Sequence, residues 1–116
     1  MAPDLIEVRS LDAHLAFARE LCNQGTAPRR APLEFAFYAD HEAAILRLRD
    51  ALGETYPLRV QHYPRVGAVA AAWVLEGCTS QMQLDAATLT AWVERMDSVA
   101  RACECALDGF APLERG

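Results

Sequence analysis

The side chains best suited to chemistry in this chain are its thiols and imidazoles. Cys103 and Cys105 are separated by one residue, so their thiols would point to the same face of a strand. This is not the Cys-x-x-Cys spacing of redox motifs, and no second ligand pair occurs at zinc spacing. We therefore expect both cysteines to pack as small apolar residues, and we predict no metal site and no cofactor.

The three histidines, His14, His41 and His62, lie in different predicted elements and share no motif. A catalytic histidine needs a nucleophile and an orienting partner within reach, and the sequence indicates neither. We predict structural or surface roles for all three and no enzymatic activity. A small enzyme using His41 or a cysteine is an open alternative that requires a perturbed titratable group in a cleft.

The length of 116 residues indicates one domain over residues 1–116. The net charge of −5 argues against binding of a nucleic-acid backbone, which depends on Lys and Arg, and it suits a basic protein partner. The N-terminus lacks a signal-peptide pattern, and the longest apolar run, residues 66–75, is too short to cross a membrane. We expect a cytoplasmic protein with reduced cysteines and no membrane contact.

An N-terminal helix is predicted over residues 10–25. Ser10 or Asp12 can cap its first turn, and Gly25 can end it. Its inner face is formed by apolar residues three and four apart: Leu11, Leu15, Ala18, Leu21 and Cys22. Residues 26–32 contain two prolines and two arginines, which predicts a connecting loop.

A strand is predicted at residues 33–39, because apolar and polar side chains alternate there. Its core face would carry Leu33, Phe35, Phe37 and Ala39. Asp40 is a suitable N-cap for the helix that follows, and Gly53 is a suitable C-cap. The inner stripe of that helix would be His41, Ile45, Leu48 and Leu52.

Two further strands form a predicted hairpin. Residues 58–63 alternate between Pro57 and Pro64, which favours an edge strand because proline cannot donate to a ladder. Residues 68–76 are apolar on both faces, as expected of a central strand. The tight link at residues 64–67 makes the pair antiparallel.

The last helix and strand complete the pattern. Asp85 caps a long predicted helix with this inner stripe: Leu89, Trp92, Val93, Met96, Val99, Ala100 and Cys103. Its outer face would carry Glu94, Asp97, Ser98 and Arg101. Residues 103–107 alternate as a strand that runs into Asp108-Gly109, a turn dipeptide. Phe110 would then fold back on the core, or it would form a recognition corner with that turn.

The element order predicts an α+β, ferredoxin-like βαββαβ fold over residues 33–112. It has a four-stranded antiparallel sheet, two helices on one face, the first and third strands at the centre, and an extra N-terminal helix. The second sheet face would carry Glu34, Ala36, Tyr38, Arg59, Gln61, Tyr63, Ala70, Ala72, Val74, Glu104 and Ala106. Either the N-terminal helix covers this face, or the face contacts a partner or a second copy. Mixed charges argue against an RNA-binding sheet.

Three segments suggest a family: residues 23–28 (Asn-Gln-Gly-Thr-Ala-Pro) after the first helix, the apolar strand 69–74, and the ending Leu107-Asp108-Gly109-Phe110. With the element order, they make residues 10–112 resemble the RraB family, regulators of ribonuclease E activity. The resemblance implies a cytoplasmic, non-enzymatic protein that binds ribonuclease E and inhibits its cleavage of RNA. Familiar members are strongly acidic, whereas this chain carries only −5.

We expect a protein that acts by contact, and the resemblance implies an endoribonuclease of the RNase E/G type as its partner. The residues expected to touch the partner are Glu34, Tyr38, Arg59, Tyr63, Glu104 and Asp108. The alternative is a small-molecule-sensing or dimerisation domain of the same fold. Its ligand would lie between the sheet and the N-terminal helix.

Overall fold

The computed structural model of the protein describes residues 10–23, 30–64 and 72–113. The elements in chain order are α1 (Leu11–Asn23), β1 (Arg30–Ala31), β2 (Leu33–Ala39), α2 (Glu42–Leu52), β3 (Leu58–Tyr63), β4 (Ala72–Cys78), β5 (Met82–Gln83), α3 (Ala86–Ala102) and β6 (Ala106–Pro112). The main sheet has the order β3-β4-β2-β6, and β1 pairs with β5. All pairs are antiparallel, and the class is α+β.

Two helices begin at the predicted caps. The Ser10 hydroxyl oxygen accepts from the backbone N–H of Ala13 at 3.2 Å, before α1. The Asp85 carboxylate accepts from the backbone N–H of Thr88 at 2.7 Å, before α3. This bond stabilises the charged carboxylate and lowers the pKa of Asp85. The predicted end of α1 at Gly25 lies outside the described residues.

The start of α2 differs from the prediction. His41 occupies the N-cap position with an extended backbone and makes no side-chain capping bond, so Asp40 is not the cap. His41 is exposed, and its predicted place in the inner stripe is wrong. The helix begins one residue later, so its buried stripe is Ala44, Ile45, Leu48 and Leu52. Gly53 is the C-cap, as predicted.

The core lies between the helices and one face of the sheet. β2 and β4 occupy the centre of the sheet, and β3 is an edge strand, as predicted. The predicted β3–β4 hairpin pairing is confirmed, although residues 65–71 of its connection lie outside the described residues. One row of core side chains runs across all four strands: Val60, Leu75, Phe37 and Leu107. Helix residues Ile45, Leu48, Trp92 and Val93 belong to the same core.

A neighbouring row depends on a glycine. Leu58, Gly77, Phe35 and Phe110 are successive partners across the sheet. A Cβ at Gly77 would lie 2.6 Å from both the Phe35 ring and the Leu58 side chain. The absence of a side chain at Gly77 therefore lets these two large groups pack against β4. The ring of Phe35 in turn contacts Trp92 edge-on at 5.7 Å.

The last strand begins later than predicted. Cys103 is the C-cap of α3, and Glu104 follows in a left-handed conformation with φ 61°. The N–H of Cys105 donates to the Ala100 carbonyl at 2.8 Å, and that of Glu104 donates to the Arg101 carbonyl at 3.1 Å. These two bonds define a Schellman motif. Cys103 and Cys105 consequently do not share a strand face, and that prediction is wrong.

Asp108 and Gly109 lie inside β6 and do not form the predicted turn. Ala36 pairs with Gly109, but Phe37 pairs with Leu107, so Asp108 is an extra residue in a β-bulge. The extra residue keeps both Leu107 and Phe110 on the core face, although they are three positions apart. Phe110 is buried, as one of the two predicted alternatives required.

Helix α1 packs on the helical side of the sheet. The ring of Phe17 meets the ring of Phe110 edge-on at 5.2 Å, and Trp92 of α3 contacts Phe110 from the same side. The alternative that α1 covers the second sheet face is therefore wrong.

Asp97 was predicted on the outer face of α3, and this prediction is wrong. Its side chain is buried, with 7% exposed, and accepts a hydrogen bond from Arg101 Nε at 2.8 Å.

Two smaller findings complete the fold. The pairing of β1 with β5 was not predicted, because strands of two residues have no detectable alternation. Within the described ranges, each helix is too short or too polar to cross a membrane.

Candidate functional site

The second face of the main sheet is the candidate site, because none of the described helices packs on it. Register pairs place Arg59, Glu76, Ala36 and Gly109 in one row across this face. The next row contains Gln61, Val74, Tyr38 and Ala106. Ala72 is buried and Tyr38 and Val74 are half-buried, so the more accessible end is the one with Glu34 and Arg59.

An open depression of about 640 Å³ lies at that accessible end. It extends over all four strands, from Leu58 on β3 to Gly109 on β6. Its floor includes small residues, Ala36 and Gly109, which leave room above the sheet. A Cβ at Gly109 would meet no atom within 4 Å. The depression could therefore accept a ligand side chain or a segment of another protein.

One end of the depression is bounded by a polar network on β3 and β4. Arg59 Nη2 donates to Glu76 Oε1 at 2.9 Å, and Gln61 Nε2 donates to the same oxygen. Tyr63 Oη donates to Gln61 Oε1 at 3.1 Å. The Arg59 charge is thus matched by Glu76 within the protein. Tyr63 is 48% exposed and presents its ring to solvent at the edge of the sheet.

The other end has two carboxylates without a cationic partner among the residues that the structure describes. Glu34 lies on β2 and Asp108 is the bulged residue of β6; both are exposed and both line the depression. Neither side chain makes an ion pair or a hydrogen bond with any residue in the described part of the chain. The charged side chains that line the depression among the described residues are three carboxylates, Glu34, Glu76 and Asp108, and one guanidinium, Arg59. Together these four residues carry a net negative charge.

The structure gathers five of the six predicted contact residues. Glu34, Tyr38, Arg59, Tyr63 and Asp108 lie on the second sheet face or its rim. Glu104 does not, and its predicted place on this face is wrong. It belongs to the turn after α3, where it accepts from Arg47 Nη2 of α2 at 3.1 Å. Ala70, also predicted for this face, lies outside the described residues.

Sequence reasoning missed Glu76 and Gly109 as site residues. The sequence predicts a strand at residues 68–76 that is apolar on both faces, which gives Glu76 no role. It predicts a turn at Gly109. An acidic residue at the end of an apolar strand was the signal that could have identified Glu76, because a carboxylate on a central strand needs a partner.

The histidines are dispersed. His14 is buried, and its Nε2 lies 2.9 Å from the Leu107 carbonyl oxygen. A carbonyl only accepts, so His14 Nε2 carries the proton. His41 is exposed, and the exposed ring of His62 stacks on Trp73 with centroids 4.2 Å apart. None of the three lines the depression.

The cysteines lie in different environments: Cys105 is buried, whereas Cys78 lines the depression. Cys105 is 7% exposed, and burial, with a smaller contribution from Cys103, raises the pKa of its thiol to about 11. Its Sγ lies 3.5 Å from the Cys103 carbonyl. Cys78 lines the depression and donates to the Thr79 carbonyl. No group of three His, Cys, Asp or Glu side chains in the described ranges could hold a metal ion.

Comparison with known proteins adds no family to this description. No family model matches the chain, and no curated protein shows significant sequence similarity to it. The resemblance to the RraB family accordingly rests on the residues and the element order that carry it.

Proposed function

We propose that this chain is a non-enzymatic regulatory protein that binds an endoribonuclease of the RNase E/G type and lowers its activity. The observation that carries the proposal is the accessible sheet face, with small residues in its floor and, at one end, two carboxylates that pair with no cation in the described part of the chain. An exposed surface of this composition is suited to contact with a protein. The RraB resemblance supplies the class of partner.

The strand arrangement supports a ferredoxin-like fold, the fold that the resemblance implies. The order β3-β4-β2-β6 places two β-α-β units in one antiparallel sheet, with each crossover helix connecting strands separated by one neighbour. In such a fold the helices cover one face and leave the other accessible. The proposed mechanism is occlusion of a basic surface of the nuclease by this face.

The test is a nuclease assay with purified components. A fluorogenic single-stranded RNA is cleaved by the endoribonuclease while this protein is titrated to saturation. We expect a saturable fall in the cleavage rate. An unrelated ribonuclease on the same RNA serves as control, because sequestration of the RNA would slow both enzymes. Unchanged kinetics of the endoribonuclease at saturation would reject the proposal.

The alternative of a dimerisation domain uses the same surface. Ala36 and Val74, both half-buried, give the face an apolar centre that a second copy could cover. Sedimentation equilibrium across a range of concentrations distinguishes a stable dimer from a monomer. The sensing alternative places its ligand between the sheet and α1, where Phe17 and His14 pack on Phe110.

A further inference from the structure

We propose that the depression on the second sheet face binds an extended segment of a partner protein through an arginine held between Glu34 and Asp108. The inference rests on the proposed contact with a nuclease, and it adds where that contact lies and which chemistry recognises it.

Charge selects a cationic occupant. At the β3–β4 end, Arg59 is already matched by Glu76 at 2.9 Å. At the β2–β6 end, Glu34 and Asp108 are exposed and pair with no cation in the described part of the chain. Among the described residues, negative charge is therefore unmatched at the β2–β6 end and matched at the β3–β4 end. A guanidinium is the best match, because its planar donors bind carboxylates bidentately.

Register places the two carboxylates within reach of one such group. Glu34 pairs with Ala111, whereas Asp108 lies beside the pair of Ala36 and Gly109 on the neighbouring strand. An offset of two to three residues along the strand and one strand spacing across the sheet put their Cα atoms roughly 8–11 Å apart. The bulge is essential, because it inserts Asp108 without moving Leu107 or Phe110 from the core.

Shape selects an extended segment. The depression crosses four strands, so it is roughly 14 Å long, which accommodates about four or five extended residues. Ala36 and Gly109 in the floor permit close approach of a backbone or an apolar side chain. A partner segment that alternates apolar residues with arginine fits both the floor and the acidic end.

The probe is a fluorescein-labelled peptide of about seven residues that alternates leucine and arginine. A second peptide with glutamate in place of arginine is the matched control. Fluorescence anisotropy gives the Kd, and ¹⁵N chemical shifts locate the bound peptide. We expect only the arginine peptide to bind, with the largest shifts at the Ala36 and Gly109 amides. Equal binding of both peptides, or shifts centred on the helices, would overturn the inference.

Variants with matched charge test the two carboxylates. The double variant Glu34→Gln/Asp108→Asn should weaken binding of the arginine peptide about tenfold, since both charge-assisted contacts are removed. The control Glu42→Gln/Glu94→Gln removes the same charge from the helical side, where both residues are exposed. An equal loss in the control would mean that only net charge matters, and the inference would be wrong.

A third variant tests the depression by filling it. Gly109→Leu places a side chain in open space, so the fold should be retained, as circular dichroism would show, while the peptide is excluded. Undiminished binding would overturn the inference. A wild-type protein that dimerises, and becomes monomeric in Gly109→Leu, would identify a second copy as the occupant and would also overturn it.

The nuclease assay separates this inference from the proposed function. If Glu34→Gln/Asp108→Asn no longer inhibits the nuclease while the control Glu42→Gln/Glu94→Gln still does, the result supports both the docking site and the regulatory function. Inhibition that is unchanged in the double variant overturns the docking site and leaves the regulatory function standing. Peptide binding at the depression without any effect on the nuclease supports the site and rejects the function.

Discussion

The imidazole of His14 donates a hydrogen bond from Nε2 to the backbone carbonyl oxygen of Leu107 at 2.9 Å. This bond joins the first turn of α1 to the edge strand β6, 93 residues later in the chain. It holds α1 on the helical side of the sheet, beside α3. Helix α1 therefore does not pack on the second sheet face.

Replacing His14 by leucine tests that contact. His14→Leu keeps apolar volume but removes the donor, so the buried Leu107 carbonyl loses its side-chain partner. We expect the free energy of unfolding to fall by about 1–3 kcal/mol. Urea denaturation followed by circular dichroism measures it. The exposed neighbour change Ala16→Ser should stay within about 0.5 kcal/mol of the wild type. A His14→Leu variant as stable as wild type would refute the structural role.

Two glycines of the main sheet, Gly77 and Gly109, should differ in how much stability is lost when each is replaced by alanine. Gly77→Ala places a Cβ 2.6 Å from Phe35 and Leu58 in the core, so we expect a loss of about 1–3 kcal/mol from overpacking. Gly109→Ala meets no atom within 4 Å and should be tolerated. Thermal unfolding of both variants measures the contrast. Equal melting temperatures would show that the Phe35–Gly77 packing is not as described.

The turn after α3 contains Glu104, whose backbone strain a substitution can relieve. Glu104 adopts φ 61°, a conformation that costs a non-glycine residue free energy. Glu104→Gly should raise the free energy of unfolding by about 0.5–1 kcal/mol, after the loss of glycine's chain entropy and of the exposed ion pair with Arg47. Glu104→Ala removes the same ion pair without relieving the strain. It should therefore not be more stable than wild type in urea denaturation.

The buried thiol of Cys105 should make stability depend on alkaline pH. Its pKa is raised from 9.0 to about 11, chiefly by burial, so the folded state holds this proton more tightly than the unfolded state. The resulting stabilisation is fully present below pH 9 and is lost as the pH rises to about 11. Urea denaturation from pH 8 to 11 should show a shallower decline for Cys105→Ala than for wild type. Parallel declines would contradict the assignment.

Much of the fold follows from local patterns in the sequence. Alternation in residues 33–39 and helical spacing after Asp85 predicted a strand and a helix that the structure contains. The β3–β4 pairing and the central positions of β2 and β4 followed from proline placement and apolar content. These features depend on periodicity and capping, which neighbouring residues determine.

The errors occur where a residue's role depends on distant parts of the chain. Nothing near Glu104 predicts a left-handed C′ residue, because glycine usually occupies that position. The sequence therefore predicts an earlier start of strand β6 than the structure has. Asp108-Gly109 has the composition of a turn, but pairing with β2 holds it in a bulge. Glu104 was consequently placed on the sheet face, from which the structure removes it.

By itself, the sequence determined the α+β class, the cap at Asp85, and the alternation that gives Glu34 and Arg59 a common sheet face. Only the tertiary structure decided which face α1 covers and where Asp108 lies. The physical reason is the sequence separation over which the interactions act. Helical and strand periods arise between residues a few positions apart, whereas the His14–Leu107 bond and the β2–β6 register join segments that meet only when the core is packed.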